Sequence, residues 1–367
     1  FEDVVQNWGF SAVLLAIGAW RDRPLPIEGI DEYVGKGLIY QNPFFYWFNH
    51  FHEPGFSGPQ PEIADGAIVV GGGLASLDVC KALMMLTVEK ALKARGIETN
   101  ILELDKGINR VLDEHGLTLD DLGLKGCTLF YRRRRVDMPL SPVEATSPEE
   151  IPKIERLREK ILANAQRKFL FNVEPLHVPT DKIVENGRLT GLVFQRTRVE
   201  NGKVEPIEGS EREVRAPLVV SSIGSIPVPI KGIPMKWQTF DVDREKCCRI
   251  RGFSNVFALG NTVTGRGNIN ESLKHGRQVA TRVAEDHLAD DPEAIFDQQV
   301  SERAENVAGQ VSNITTQIEK LSPASPEKQA EIRRRVKALQ ERVGYQGDFM
   351  EWVKKHLPVR LENIVGH

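Results

Sequence analysis

The chain has 367 residues, of which 41% are hydrophobic and 27% are charged, and 48 Lys and Arg against 51 Asp and Glu give a net charge of -3. These values are ordinary for a globular protein and exclude a wholly disordered or collagen-like chain. No global basic charge is present, so we expect no nucleic-acid binding. At roughly 150 residues per domain, the length indicates about two domains and an additional segment.

The cysteines form no CxxC pair and have no zinc-ligand spacing, which excludes a disulfide scaffold and a CxxC redox centre. They are Cys80, Cys127, Cys247 and Cys248. Free thiols in a large chain are typical of a reducing cytoplasm, where we place the protein, and we expect no metal site. The most apolar run, Phe10–Trp20, is shorter than the ~20 residues that span a bilayer, so we expect no transmembrane segment.

The first 60 residues contain one short buried strand, Ala12–Ile17, which ends in a glycine turn at Gly18. A strand of this type rarely starts a domain, and the chain begins at Phe1 rather than at Met. We therefore expect the chain to be the later part of a longer polypeptide. The aromatic cluster at Phe44–Phe48 is interpreted as packing rather than as a ligand site.

The strongest strand–helix signal follows. Ala67–Val70 is a continuous apolar run, typical of a parallel strand covered on both faces. Gly71-Gly72-Gly73 makes a turn, and Leu74–Lys93 has helical apolar spacing. A dinucleotide-binding turn needs this pattern of small residues, and the helix N-terminus then offers free N–H groups to a pyrophosphate. A plain strand–helix turn is the alternative.

A charged insertion to about Gly126 leads to a second strand, Cys127–Tyr131, and to the run Arg132–Arg135. NADP sites place arginine after this strand for the 2′-phosphate, because its planar fork matches phosphate oxygens. We expect only Arg132 and Arg133 to contact the phosphate, and a solvated basic patch is the alternative. Since the spacing exceeds the usual ~20 residues, we expect the insertion to loop out.

Alternating residues with Asn-Gly turns predict antiparallel hairpins over 170–215. Leu218–Gly224 and Val256–Gly260 are further buried strands that end in glycine. A glycine-rich stretch then precedes a helix at about Ile269–Leu288, whose start offers a positive dipole end to the electron-rich side of a flavin ring.

The C-terminal segment, residues 291–367, which we call the tail, has a different pattern of apolar residues. Apolar residues at heptad spacing over 300–321 are interrupted at Pro323 and resume over 332–343. Ser325 is expected to cap the second helix with Pro326 at its first position, and Gly344 to end it. The pattern predicts an antiparallel helical hairpin. It either packs on the body of the chain or, through 295–343, binds a partner or a second copy.

Four stretches together resemble the adrenodoxin (ferredoxin)-NADP reductase and glutamate synthase small-chain group of FAD-containing NADPH oxidoreductases, in the pyridine nucleotide-disulfide oxidoreductase superfamily but without its CxxC. They are Leu14–Ala19 with Leu25–Gly29, Phe45–Asn49 with Gly71–Leu83, Tyr131–Arg133 with Met138, Pro139 and Glu144, and Val256–Asn268 with Glu271 and Ser272. The resemblance covers roughly residues 10–290.

The resemblance implies an α/β fold with two nested Rossmann-like dinucleotide-binding domains plus the C-terminal helical hairpin. Residues 1–60 and 217–290 would form a partial FAD-binding domain, 61–216 the inserted NAD(P)-binding domain, and 291–367 the tail. Hydride would pass from NADPH to FAD, and electrons would leave to an iron–sulfur protein or another acceptor. A non-catalytic or electron-transfer subunit, which keeps the fold and docks a partner through the hairpin, is the alternative.

The resemblance also assigns binding residues, and it requires no catalytic acid or base. Those for NADP(H) are Gly71, Gly72, Gly73, Leu74, Ala75, Arg132, Arg133 and Glu144, and those for the flavin are Ala16, Gly18, Gly260, Asn261, Gly267, Asn268 and Ile269. The chain departs from the family in lacking the N-terminal GxGxxG and in having Asn261 where Asp is usual. FAD binding would therefore need residues before Phe1 or another chain, or it would fail.

Overall fold

The structure, a computed structural model, describes residues 1–141, 143, 147–265, 269–288, 311–312, 314–316, 318–319 and 324–357. In chain order the strands are β1 (Val13–Leu15), β2 (Arg21–Asp22), β3 (Leu38–Tyr40), β4 (Ile68–Gly71), β5 (Thr128–Tyr131), β6 (Asn172–Pro175), β7 (His177–Glu185), β8 (Arg188–Glu200), β9 (Lys203–Pro206), β10 (Arg212–Arg215), β11 (Val219–Ser222), β12 (Ser225–Ile226), β13 (Met235–Lys236), β14 (Thr239–Phe240), β15 (Val242–Asp243), β16 (Arg249–Ile250) and β17 (Val256–Ala258). The helices are α1 (Glu2–Asn7), α2 (Gln41–His50), α3 (Leu74–Ala94), α4 (Ile101–Lys106), α5 (Ile108–Glu114), α6 (Ile151–Phe169), α7 (Asn261–Thr264), α8 (Ile269–Leu288), α9 (Pro326–Arg342) and α10 (Phe349–Lys355).

A five-stranded parallel sheet in the order β3-β11-β4-β5-β6 carries the glycine turn. Successive side chains of its strands point to opposite faces. Val69 and Leu129 therefore pack with the helices on one face, whereas Ile68 and Phe130 pack against an antiparallel sheet on the other. Burial on both faces explains the continuous apolar run before the turn, and it confirms the predicted parallel strand.

The helix layer also contains the insertion between α3 and β5. The expectation that this insertion loops out is wrong, because it forms α4 and α5, which pack beside α3 and α6. Leu104 and Ile108 are fully buried, and Leu112 is 2% exposed. These apolar residues recur three to four positions apart, so each short helix has one face to bury.

The opposite layer is an antiparallel sheet in the order β10-β8-β7, with β9 also paired to β8. Its hairpins turn at the predicted Asn-Gly pairs. Asn186 and Gly187 have φ values of 52° and 75°, and Asn201 and Gly202 have 50° and 74°. Two successive residues with positive φ are what a two-residue hairpin turn requires, and Asn-Gly adopts this conformation most readily. The predicted hairpin region is confirmed.

A second, smaller sheet has the order β1-β17-β16-β15, with β1 parallel to β17. The two sheets are connected through β2 and β12, which pair antiparallel with each other. β3 and β11 lie outside the predicted range 61–216, yet both belong to the five-stranded sheet. The larger sheet therefore extends beyond that range on either side, and the nested division into domains stays a prediction.

In the tail, α9 begins and ends where the sequence predicts. The Ser325 side chain accepts a hydrogen bond from the Lys328 N–H at 3.2 Å, Pro326 occupies the first turn, and Gly344 has φ +66°. The first helix of the predicted hairpin lies largely outside the described residues, so the hairpin stays a prediction. Across the described ranges, no helix combines the length and the apolar character needed to cross a membrane.

Candidate functional site

The three glycines in the turn from β4 to α3 differ in how closely other atoms surround them. A Cβ atom on Gly71 would lie 2.5 Å from the carbonyl oxygen of Ser222, and one on Gly72 would lie 2.2 Å from the ring of Tyr131. A Cβ atom on Gly73 would meet no described atom within 4 Å. Packing of the turn thus requires glycine at the first two positions, while the space beside Gly73 is open.

The first turn of α3 presents backbone donors next to that open space. Ser76 is fully buried, and its hydroxyl donates to the carbonyl oxygen of Gly73 at 2.6 Å. Leu74 and Ala75 begin the 21-residue helix, so their N–H groups have no intrahelical acceptor. The positive end of the helix dipole and these N–H groups form an arrangement that suits a phosphate.

The arginine run at the end of β5 divides into two pairs. Arg134 forms an ion pair with Asp137 at 2.7 Å, and Arg135 donates to the side-chain oxygen of Gln166. Within the described part of the chain, the side chains of Arg132 and Arg133 have no hydrogen-bond or ion-pair partner. β5 is the neighbour of β4, so its carboxyl end lies at the same edge of the sheet as the glycine turn.

Tyr131 joins the glycine turn to the arginine segment. Its ring covers Gly72, and its hydroxyl donates to the carbonyl oxygen of Asp137 at 3.0 Å. Burial raises the pKa of Tyr131, although the charges of Arg133 and Arg132 oppose the rise, so the hydroxyl keeps its proton at neutral pH. The sequence analysis did not include Tyr131 or Ser76 among the predicted binding residues, because only the folded turn places them against the glycines.

The residues predicted for the flavin follow the adjacent parallel strands β1 and β17. The Leu259 N–H donates to the Leu15 carbonyl oxygen at 3.1 Å, so Ala16–Gly18 and Gly260–Asn261 leave the same edge of the smaller sheet. Gly18 and Gly260 have φ values of +70° and +71°, which favour glycine.

Four further residues were predicted for the two cofactor sites, and the structure describes only one of them. Ile269, at the start of α8, is 87% exposed. Gly267 and Asn268, predicted for the flavin, and Glu144, predicted for NADP(H), lie outside the described residues. Of the side chains that the structure describes, no three His, Cys, Asp or Glu are grouped so as to hold a metal ion.

One histidine that the sequence analysis did not identify supports the Gly260 turn. The Gly260 N–H donates to Nδ1 of His275 at 3.0 Å, and Nε2 of His275 lies 3.7 Å from Sγ of Cys248. Burial lowers the pKa of His275, and the charge of Arg244 lowers it further. The imidazole is therefore neutral near pH 7, with Nδ1 as acceptor and the proton on Nε2.

The two sheets are connected through a cluster on the first turn of α2. The Asn42 N–H donates to the carboxylate of Asp22 in β2 at 3.2 Å. The Asn42 side chain donates to the Trp20 carbonyl oxygen at 2.9 Å and to Oγ of Ser225 in β12 at 3.1 Å. Burial raises the pKa of Asp22 to about 6, although these Asn42 donors oppose the rise. Both connecting strands are thus held by one asparagine.

Comparison with curated proteins finds NADPH oxidoreductases, while no family model matches the chain. The chain is 27% identical over 265 residues to the mitochondrial NADPH:adrenodoxin oxidoreductase of Arabidopsis thaliana, covering 61% of the chain and 51% of that protein. It is 28% identical over 283 residues to the NADPH-ferredoxin reductase FprA of Mycobacterium tuberculosis, covering 68% and 58%. The chain thus spans between half and three fifths of the length of these relatives.

Comparison with solved structures gives the same group. Mycobacterium tuberculosis FprA in complex with NADPH matches with a TM-score of 0.53 and 21% identity, over 83% of this chain and 68% of that one. At this identity the match shows the fold, which is a dinucleotide-binding α/β fold. Together, the comparisons confirm the predicted resemblance: in sequence and in fold, this chain is similar to the adrenodoxin and ferredoxin NADP reductases.

Proposed function

We propose that the chain is the NADPH-binding and flavin-contacting part of a FAD-dependent oxidoreductase that passes electrons to an iron–sulfur protein or another acceptor. The observation that carries the proposal concerns Arg132 and Arg133, at the end of the strand next to the glycine turn. Among the described residues, their side chains have no hydrogen-bond or ion-pair partner. The two relatives described above, an adrenodoxin reductase and a ferredoxin reductase, support an iron–sulfur protein as the class of acceptor.

The residues around the glycine turn fit NADPH. The N–H groups of Leu74 and Ala75 would hold the pyrophosphate, and the open side of Gly73 leaves room for its approach. Arg132 and Arg133 would hold the 2′-phosphate through paired, charge-assisted hydrogen bonds. Arg134 and Arg135 are occupied by Asp137 and Gln166, so their role is to fix the segment rather than to bind the ligand.

The second sheet offers a place for FAD. Ala16, Gly18, Gly260 and Asn261 leave the ends of neighbouring parallel strands, where open α/β sheets bind ligands. Gly267, Asn268 and Ile269 are further candidates from the sequence. When bound, the nicotinamide and the flavin supply the redox chemistry, and the protein contributes orientation and electrostatics. No side chain of this chain needs to act as an acid or a base.

The test compares the two nicotinamide dinucleotides. Replacing both Arg132 and Arg133 with Ala should weaken NADPH binding by about 1.4 kcal/mol or more, or at least tenfold, and leave NADH nearly unchanged. Arg134→Ala is the matched control, because it removes one charge from the same run but takes away an arginine that already pairs with Asp137. Calorimetric titration measures both ligands, and equal losses for NADPH and NADH would reject the 2′-phosphate role.

A subunit role remains the second candidate, and the exposed face of α9 favours it. Ile332, Val336 and Leu339 lie on one stripe of this helix and are 49%, 48% and 52% exposed. One relative, a subunit beta of the NADPH-Fe(3+) oxidoreductase of Geobacter sulfurreducens, is 26% identical, over 59% of this chain and 24% of that protein. A measured native mass for the purified chain tests self-association, and a flavin spectrum separates this role from the first.

A further inference from the structure

A separate cavity lies between α8 and the loop that joins β15 to β16. Its volume is about 540 Å³, which is within the range of small-ligand sites. Cys247 and Cys248 are buried along it, and Arg244, Lys274 and Arg282 stand around it. None of the described residues assigned above to NADP(H) or to the flavin lines this cavity.

The charge of the cavity is mainly positive. Within the described part of the chain, the side chains of Arg244, Lys274 and Arg282 have no ion-pair or hydrogen-bond partner. Glu271 lines the cavity as well, and Asp286 accepts a hydrogen bond from the Cys247 thiol at 3.3 Å. Three cations therefore surround the space against one lining carboxylate among the described residues.

The charges of the two arginines act on the cysteine pair, Arg244 on Cys248 and Arg282 on both thiols. Burial raises the pKa of the Cys248 thiol, and the charges of both Arg244 and Arg282 oppose that rise. Burial also raises the pKa of Cys247, and there too the charge of Arg282 opposes it. His275 lines the cavity between Cys248 and the Gly260 turn, and the charge of Arg244 contributes to lowering its pKa.

The wall of the cavity holds two local features that packing alone does not explain. The hydroxyl oxygen of Thr264 is buried and has no hydrogen-bond partner among the described residues. Cys247 and Cys248 both have left-handed backbones, with φ values of 53° and 57°. A non-glycine residue in this region costs about 1–3 kcal/mol, so two in succession indicate a loop held in place by its surroundings.

We propose that this cavity binds a phosphate group, either of a small phosphate ester or as inorganic phosphate. Arg244 and Arg282 match phosphate oxygens with planar, permanently charged forks, and Lys274 adds a point charge. The Thr264 hydroxyl supplies a further donor, which has no hydrogen-bond partner among the described residues. Binding in this cavity does not depend on the proposed NADPH site. The cavity is also lined by His275, whose Nδ1 accepts the hydrogen bond from the Gly260 N–H.

The cysteines provide the readout. We would measure alkylation of Cys247 and Cys248 by iodoacetamide, an uncharged reagent, with peptide mass spectrometry over a titration of inorganic phosphate at constant ionic strength. Bound phosphate covers the thiols, so at ten times the dissociation constant the alkylation rate should fall about tenfold. Cys80 and Cys127, buried in the other core, control for global unfolding.

Arginine variants test whether the protection of the thiols arises from phosphate bound in this cavity. Replacing both Arg244 and Arg282 with Gln should abolish the saturable protection, whereas Arg277→Gln, on the same helix but away from the cavity, should keep it. Tighter protection by glycerol phosphate would identify esters as the ligand, and tighter protection by inorganic phosphate the free anion. Absence of saturable protection, its persistence in the double variant, or its displacement by FAD would overturn the proposal.

Discussion

Gly72 and Gly73 have different surroundings, so we expect replacement by alanine to have different effects at the two positions. Alanine at position 72 places a methyl group 2.2 Å from the Tyr131 ring, which cannot withdraw without losing its hydrogen bond to the Asp137 carbonyl. Alanine at position 73 meets no described atom, and the backbone there, with φ -90° and ψ 177°, suits any residue. The first change should damage the fold, and the second should damage the ligand site alone.

The magnitudes follow from the contacts. Overpacking costs about 1–3 kcal/mol and a lost hydrogen bond about 1 kcal/mol, so Gly72→Ala should lower the free energy of unfolding by about 2–4 kcal/mol. Gly73→Ala should leave stability unchanged or raise it by about 0.4–1 kcal/mol, because alanine restricts the unfolded chain. The same methyl group would obstruct a pyrophosphate and weaken NADPH binding on the order of tenfold.

Urea unfolding followed by circular dichroism measures the stabilities, and calorimetry measures NADPH binding. A Tyr131→Ala background supplies the control, because without the ring Gly72→Ala should cost about 1 kcal/mol or less. Wild-type stability in Gly72→Ala would refute the packing argument. Unchanged NADPH binding in a stable Gly73→Ala protein would refute the assignment of the open space to the pyrophosphate.

Two further predictions concern Asp22 and Leu104. The folded pKa of Asp22 is raised to about 6, so this group favours the folded state below pH 4 and loses that contribution as the pH rises through 6. Relative to wild type, Asp22→Asn should therefore gain about 1 kcal/mol of stability between pH 4 and pH 7 after allowance for solvent screening, and parallel pH profiles would contradict this. Leu104 is fully buried, so Leu104→Ala should cost about 2–5 kcal/mol in urea unfolding, and a cost near zero would show that the insertion is not packed.

Structural features that depend only on residues adjacent in the sequence were predictable. The Asn-Gly turns at 186–187 and 201–202 and the Ser325 cap each rely on the conformational preference of one or two residues. The parallel strand before the glycine turn was predictable for a similar reason, since burial on both faces leaves a continuous apolar run. Each of these was confirmed.

Features that depend on pairing between distant segments were not predictable. β11 completes the larger sheet by pairing with β3 and β4, and its own sequence carries no sign of which sheet it joins. The packing of Tyr131 on Gly72 likewise requires β4 and β5 to be neighbours first. The insertion was misjudged because its charged residues obscured the buried faces of α4 and α5.

For the candidate site, the sequence predicted many of the residues but not their arrangement in space. The sequence identified the glycine turn and Arg132 and Arg133, and the structure adds which glycine is open and which arginines already have partners. The Asp22–Asn42–Ser225 cluster and the His275 contact with Gly260 join residues far apart in the chain. No local pattern could have indicated either one.

The most direct test of the proposed function is the visible absorption spectrum of the purified protein with FAD, recorded before and after anaerobic addition of NADPH. We expect a flavin band that bleaches with NADPH, and that bleaches much less readily in the variant in which Arg132 and Arg133 are Ala. A protein that retains no flavin band, or a bound flavin that NADPH leaves oxidised, would contradict the proposed oxidoreductase role.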